Sequence, residues 1–288
     1  MNLTNSPMDK VVCINPWLQD AAAMPYAIDR PAGNLSLAEM TQVAIECMKN
    51  DPEGFFLMVE GGKIDWSCHA NDAMATIGDM LDFDNATAVA AAFYAKYPND
   101  TLIIVTGDHE TGGMSVGHAA MAYSVNYGVL TNQKCSFQYF GDNQWKSYKV
   151  AHTNGFDPAT MNIADEADGE AQGLLSNSFG LVWANLNAFE KERLENAYDK
   201  SIANWSPNTL QEDALLYGGY EPMVVTLTHI INEKAGIGWA TYAHTGVPVP
   251  VFAIGPNANL FQGFYDNTDI AKKLGWILGF KGALPVEK

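Results

Sequence analysis

Six side chains able to bind a divalent cation fall in three short stretches of this 288-residue chain. "FFLMVEGGKIDWSCHANDA", residues 55–73, delivers Glu60, Asp65 and His69; "DTLIIVTGDHETGG" delivers Asp108 and His109; "WATYAHTGVPVPVF" delivers His244. Carboxylate oxygen with imidazole nitrogen is a donor set for zinc, whereas an isolated carboxylate suits a harder ion such as magnesium. Asp65 and His69 stand four apart, so a helix entered near Gly62 sets both on one side. Gly61 and Gly62 permit a tight backbone turn ahead of it. Each stretch taken alone has an ordinary reading: an acid followed by glycine is a common turn, Asp-His pairs arise by chance, and His244 reads as a loop histidine. Three stretches that each place acid or imidazole where a strand ends argue jointly for a metal site. Trp66, beside Asp65, is either a wall of the same pocket or a packing residue.

The elements that must position these groups are legible in outline. Residues 55–60 and 101–106 are short continuous apolar runs, the pattern of strands covered on both faces of a largely parallel sheet. The Ala-, Met- and Leu-rich stretch 71–97 between them has helical spacing. Strand, helix, strand is the parallel α/β unit, and such sheets gather ligands at the carboxyl ends of their strands. Ser36 and Glu39 form a capping-box pattern ahead of "LAEMTQVAIECM". "PMVVTLTHIINEKAG" reads as a helix, "VPVPVFAIGPNA" as a third strand, and "DIAKKLGWILG" as a closing helix capped by Asn267 or Thr268. Residues 115–221 lose this regularity and read as an insertion packed on the core, with one charged helix near 185–202. The expected fold is an α/β three-layer sandwich with a largely parallel central sheet, a single domain over 1–288 whose core is 1–114 and 222–288.

Composition sets bounds on function. With 33 acidic against 16 basic residues the formal charge is −17, a field that repels nucleic acid and anionic membranes and that bound cations offset. No stretch reaches the length of a membrane span, and the opening residues lack a basic region followed by an apolar core. Cys13, Cys47, Cys68 and Cys135 have no zinc-ribbon or redox spacing and leave the compartment and their disulfide state undecided. Cys68, offset by one from His69, reads as a small buried filler. His229 reads as a core histidine, His118 and His152 have no partnered acids, and the acidic run 165–170 reads as a solvated loop.

In order and spacing, the three metal-motif stretches resemble the carboxyl-terminal half of alkaline phosphatases, over roughly 24–114 and 222–280, with "MPYAIDR" and "LAEMT" preceding the first. The middle is similar to that family's variable insertion. The resemblance implies Asp65, His69 and His244 as ligands of one zinc, Asp108 and His109 as ligands of a second, and Glu60 as a magnesium ligand. It further implies hydrolysis of small phosphate monoesters through a phosphoserine, a homodimer, and a periplasmic or secreted location. The family's nucleophilic serine, bridging aspartate and phosphate-clamping arginine belong to an amino-terminal half. No Asp-Ser dipeptide occurs here, and neither arginine, Arg30 or Arg193, matches the clamp. The expectation is therefore a partial domain, incomplete at its amino-terminal side, inactive alone and exposing strand edges and apolar surface. Two alternatives stay open: a non-catalytic zinc-binding fragment or partner chain, and a phosphodiesterase or sulfatase-like relative, against which "VEGGKIDW" argues.

Overall fold

The computed structural model describes residues 10–165 and 169–280, so the expectations for the opening residues and for half of the acidic run 165–170 lie outside the described residues. Helix α1 (Leu37–Met48) begins where its capping box requires: Ser36 accepts from the Glu39 amide while the Glu39 carboxylate accepts from the Ser36 amide. After α2 (Gly62–His69), Asp72 caps α3 (Ala73–Lys96) by accepting from the Ala75 amide. Arg30 grips Asp82 of α3 with two bonds of 2.6 and 3.1 Å, and Asp82 also accepts from the first amide of α1. The two long helices thus share one anchor.

The short strands β1 (Ile103–Thr106), β2 (Glu110–Thr111) and β3 (Ser115–Val116) follow. Next come α4 (Phe137–Tyr139), α5 (Lys146–His152), α6 (Glu170–Phe179), α7 (Ala188–Ala203), α8 (Leu210–Tyr217) and α9 (Pro222–Ala235). The chain closes with β4 (Ile237–Gly238), β5 (His244–Thr245), β6 (Val251–Ile254) and α10 (Thr268–Ile277). None of the described helices is long and apolar enough to cross a membrane.

The expected largely parallel sheet is not seen among the described residues. Among the described residues the strands make three antiparallel pairs, β1 with β6, β2 with β5 and β3 with β4. Thr106 faces Val251 and Ile103 faces Ile254. The chain leaves β1 and re-enters β6 at the same end, so the two must run in opposite directions. Residues 55–60, expected as a buried strand, form no strand, and Phe56 and Met58 are 59% and 75% exposed. Phe252 and Ile254 of β6 are likewise exposed. The α10 cap also differs: Asp266 accepts from the Thr268 amide and hydroxyl, while Asn267 makes no capping bond.

Close packing is concentrated elsewhere. Among the largest fully buried side chains are Phe140, Trp145, Leu175, Phe179 and Leu194 from the 115–221 stretch, and Met223, Leu227 and Ile230 of α9. Trp145 stacks on Tyr148 at 4.9 Å between centroids and donates its indole N–H to Ser201 at 2.7 Å, so its one polar atom is satisfied. Pro222 in the first turn and Gly236 at the left-handed end bound α9.

Candidate metal centre

Three segments carry the ligand candidates, and each is held by its backbone. In α2, Asp65 and His69 lie one turn apart, as their spacing demands. Gly61 is required for room rather than for an unusual dihedral, since its φ is −88°. A Cβ there would stand 2.9 Å from Ile64 and 3.1 Å from Phe83. The turn after β1 presents His109, and β5 sets His244 opposite Thr111. Gly112, at φ +83°, joins the segments: a Cβ would meet the Trp239 ring at 2.7 Å and the Cys68 carbonyl at 2.8 Å. Its amide donates to the Ala243 carbonyl and its carbonyl accepts from the Ala240 amide, both at 2.9 Å.

The geometry of Asp65, His69 and His244 matches one tetrahedral ion. His69 Nε2 lies 3.4 Å from Asp65 Oδ1, His244 Nε2 lies 3.6 Å from the same oxygen, and the two nitrogens are 3.1 Å apart. Bonds of about 2.0–2.1 Å in a tetrahedron put ligand atoms about 3.3 Å from one another, a separation these distances bracket. His69 Nδ1 donates to the Tyr242 carbonyl at 2.6 Å. A carbonyl can only accept, so Nε2 is the nitrogen left with a lone pair for an ion. The Thr111 hydroxyl donates to Asp65 Oδ1 at 2.5 Å and orients that carboxylate.

The remaining candidates fall at different distances from this group. His109 stacks on His244 at 3.5 Å between centroids, and Asp65, His109 and His244 form a second triad whose ligand atoms all lie within 4.8 Å of one another. The structure thus draws His109 toward the residues expected for the first zinc. Asp108 reaches His109 at 3.2 Å but is 84% exposed, and Glu60 lies at the surface beside Gly62. Among the described residues neither joins a group of three candidate ligands. Trp66 shares a cavity wall with His69.

Asn71 locks the arrangement from the side. At φ +51°, it donates from Nδ2 to the Cys68 carbonyl at 2.9 Å and the Thr241 carbonyl at 3.0 Å. Its Oδ1 pairs with His229 Nε2 at 3.0 Å and its carbonyl accepts from Asn232 at 2.6 Å. One residue therefore fastens the His69 helix to the His244 loop and both to α9. Burial pushes His229 down to about 4, leaving it a neutral donor near pH 7. Burial pushes the Cys68 thiol up to about 11, so in the metal-free chain it stays protonated near pH 7. His118 accepts from the Ala120 amide, and His152 donates to the Tyr148 carbonyl at 2.9 Å. Thr111, Tyr242 and Asn71 were missed as supports. Thr111 and Asn71 sit two residues after candidate ligands, the one signal available for them.

The alkaline phosphatase family model matches residues 17–280. The chain belongs to the alkaline phosphatase family. It is 33% identical over 254 residues to alkaline phosphatase 3 of Bacillus subtilis (strain 168), covering 87% of this chain and 46% of that protein. The crystal structure of a cold-active alkaline phosphatase from a psychrophilic Shewanella sp. superposes with TM-score 0.63 at 29% identity, covering 89% of this chain and 53% of that one. Thermus thermophilus alkaline phosphatase gives TM-score 0.65 at 25% identity, covering 93% and 53%. This alkaline phosphatase family chain spans about half the length of the curated relatives it matches.

Proposed function

We propose that this chain carries the principal zinc-binding residues of a phosphate monoester hydrolase of alkaline phosphatase type. Asp65, His69 and His244 hold the first zinc, Asp108 and His109 contribute to a second, and Glu60 is the residue offered toward magnesium. The carrying observation is the trio of separations, 3.1, 3.4 and 3.6 Å, with the His69 tautomer fixed by Tyr242. Bound there, zinc supplies Lewis-acid stabilisation of a transferring phosphoryl group and lowers the pKa of a coordinated hydroxyl. Thr111 and Tyr242 hold the ligand side chains in the poses that bond requires.

Turnover through a phosphoserine needs a serine nucleophile and a phosphate clamp. Both arginines are engaged internally, Arg30 with Asp82 and Arg193 with Glu233, each at 2.6 Å. This supports a division of labour in which the chain contributes metal binding and the phosphoserine step belongs to the whole phosphatase. Small phosphate monoesters, a homodimer and a periplasmic or secreted setting go with that reading. The same pairing favours a second reading, a zinc-binding chain without chemistry of its own.

Zinc titration against a chromophoric chelator tests the proposal. The chain should bind zinc, and His244→Ala should weaken binding at least about 100-fold, beyond the usual cost of losing a supporting contact. A wild-type chain that fails to compete with the chelator sinks the assignment. Phosphate release from an aryl phosphate by the zinc-loaded chain alone separates the two readings: turnover excludes the second.

A further inference from the structure

Beside the metal centre lies a cavity of about 240 Å³ lined by Asp20, Tyr26, Trp66, His69, Phe137, Gln138 and Tyr220. Four of these are aromatic, and His69 is a candidate ligand, so the cavity opens directly onto the ion's surroundings. Phe137 stands edge-on to Tyr26 at 5.6 Å and to Tyr220 at 5.9 Å between centroids, the arrangement in which rings pack as fixed walls. The buried Lys63 places its ammonium 3.8 Å from the Trp66 ring centre and 4.5 Å from that of Tyr26. Asp20 balances it at 3.6 Å. Asp20, Ala21 and Ala22 all hold positive φ, a conformation that is costly for side-chain-bearing residues and recurs at ligand clamps. The Tyr26 hydroxyl is buried out of reach of solvent and has no hydrogen-bond partner.

The geometry points to this cavity as a subsite for a flat, uncharged aromatic ring, the leaving-group portion of the ester. This rests on the phosphatase reading and narrows its substrates to monoesters with a ring near the phosphate. The charge already present decides the class. Lys63 occupies the cation's place against Trp66 and Tyr26, and Asp20 is neutralised by it. A choline- or aminoalkyl-bearing group would bring a second cation beside the first, whereas a neutral ring adds no charge to a cavity whose lining is mostly aromatic. Two of the walls, Phe137 and Tyr220, come from the 115–221 stretch, which assigns that region a part in substrate choice. A phenolic and a nucleoside ring share this chemistry and differ in size.

Saturation-transfer NMR on the full chain, with and without zinc, using phenol, adenosine and choline as separate probes, tests the subsite. Phenol or adenosine should bind saturably, choline should not, and Trp66→Ala and Tyr220→Leu, each checked for folding by circular dichroism, should each weaken ring binding about 5-fold or more. Binding of phenol alone identifies a compact aryl ester, and binding of adenosine identifies a nucleoside phosphate. The proposal is overturned if neither ring binds, if choline binds better, or if both folded variants bind as wild type. A chain that takes zinc but no ring loses the subsite and keeps the phosphatase reading. A chain that takes a ring but no zinc does the reverse.

Discussion

The helical body, built from α4 to α9, and the strand layer, β1 and β6 taken together with residues 55–60, which form no strand, handle apolar side chains in opposite ways. In the body Trp145, Phe140, Leu194 and Leu227 are fully enclosed. In the strand layer Phe56, Met58, Phe252 and Ile254 face outward. The two halves of the candidate centre divide along the same line. Asp65, His69 and His244 are tied through Asn71 and Gly112 to the packed body, while Asp108 and Glu60 stand exposed where the strand layer ends. Asp108 still lies 3.2 Å from His109, so what separates the two groups is the packing beneath them and not the spacing of their ligand atoms.

The sharpest way to break this contrast is to open the body. Trp145→Ala should cost about 3–5 kcal/mol, visible in a urea melt, because it leaves a cavity walled by Phe140 and Tyr148 and removes the indole donor to Ser201 and Glu221. A loss as small as that of an exposed substitution would mean that the body is not the stable part. Next, Asn71→Ala should reduce zinc affinity about 10-fold without unfolding the chain, in the range of supporting-contact losses. Unchanged affinity would show that the ligand segments hold together without it.

A smaller effect is expected at Asp79, buried in α3 with one backbone donor, the Ala27 amide. Burial pushes its carboxyl up to about 7, with Asp82 adding to the rise and Arg30 and Lys63 opposing it. The folded chain then holds a proton that the unfolded chain releases near 3.8. This contribution to stability is full below that value and lost as pH rises through about 7. Asp79→Asn should raise the melting temperature by about 2–4 °C at pH 8 and leave it nearly unchanged near pH 4. A gain of equal size at both pH values would exclude the carboxylate as its source. Least of all, Phe252→Thr on β6 should shift stability by no more than about 0.5 kcal/mol while raising the concentration at which the chain aggregates. A large loss would show the ring to be buried in solution.

Helices and the spacing of residues along them were the readable part of the sequence. Ser36 with Glu39, the 3.6-residue rhythm of 71–97 and the Asp65–His69 spacing are local signals, and local signals survive whatever packs around them. The strand arrangement was not readable in the same way. The apolar run 55–60 records a preference for burial on both faces, but pairing depends on which other segment lies alongside, and β1 meets the returning β6 instead. The weight of the 115–221 stretch was missed because its buried aromatics are separated by polar residues without a single period, as at Phe140, Trp145 and Tyr148. Asn71 was unreadable for another reason: its partners Thr241 and His229 lie 170 and 158 positions away.

His69 and His244 are 175 positions apart along the chain. A cation shared between them clips the ends of a very long loop, as a disulfide would, and removes conformational freedom from the unfolded chain that shorter clips leave behind. Metal occupancy should accordingly act as a reversible staple on the fold, and chelation should loosen the whole span from α2 to β5 as well as the coordination sphere itself.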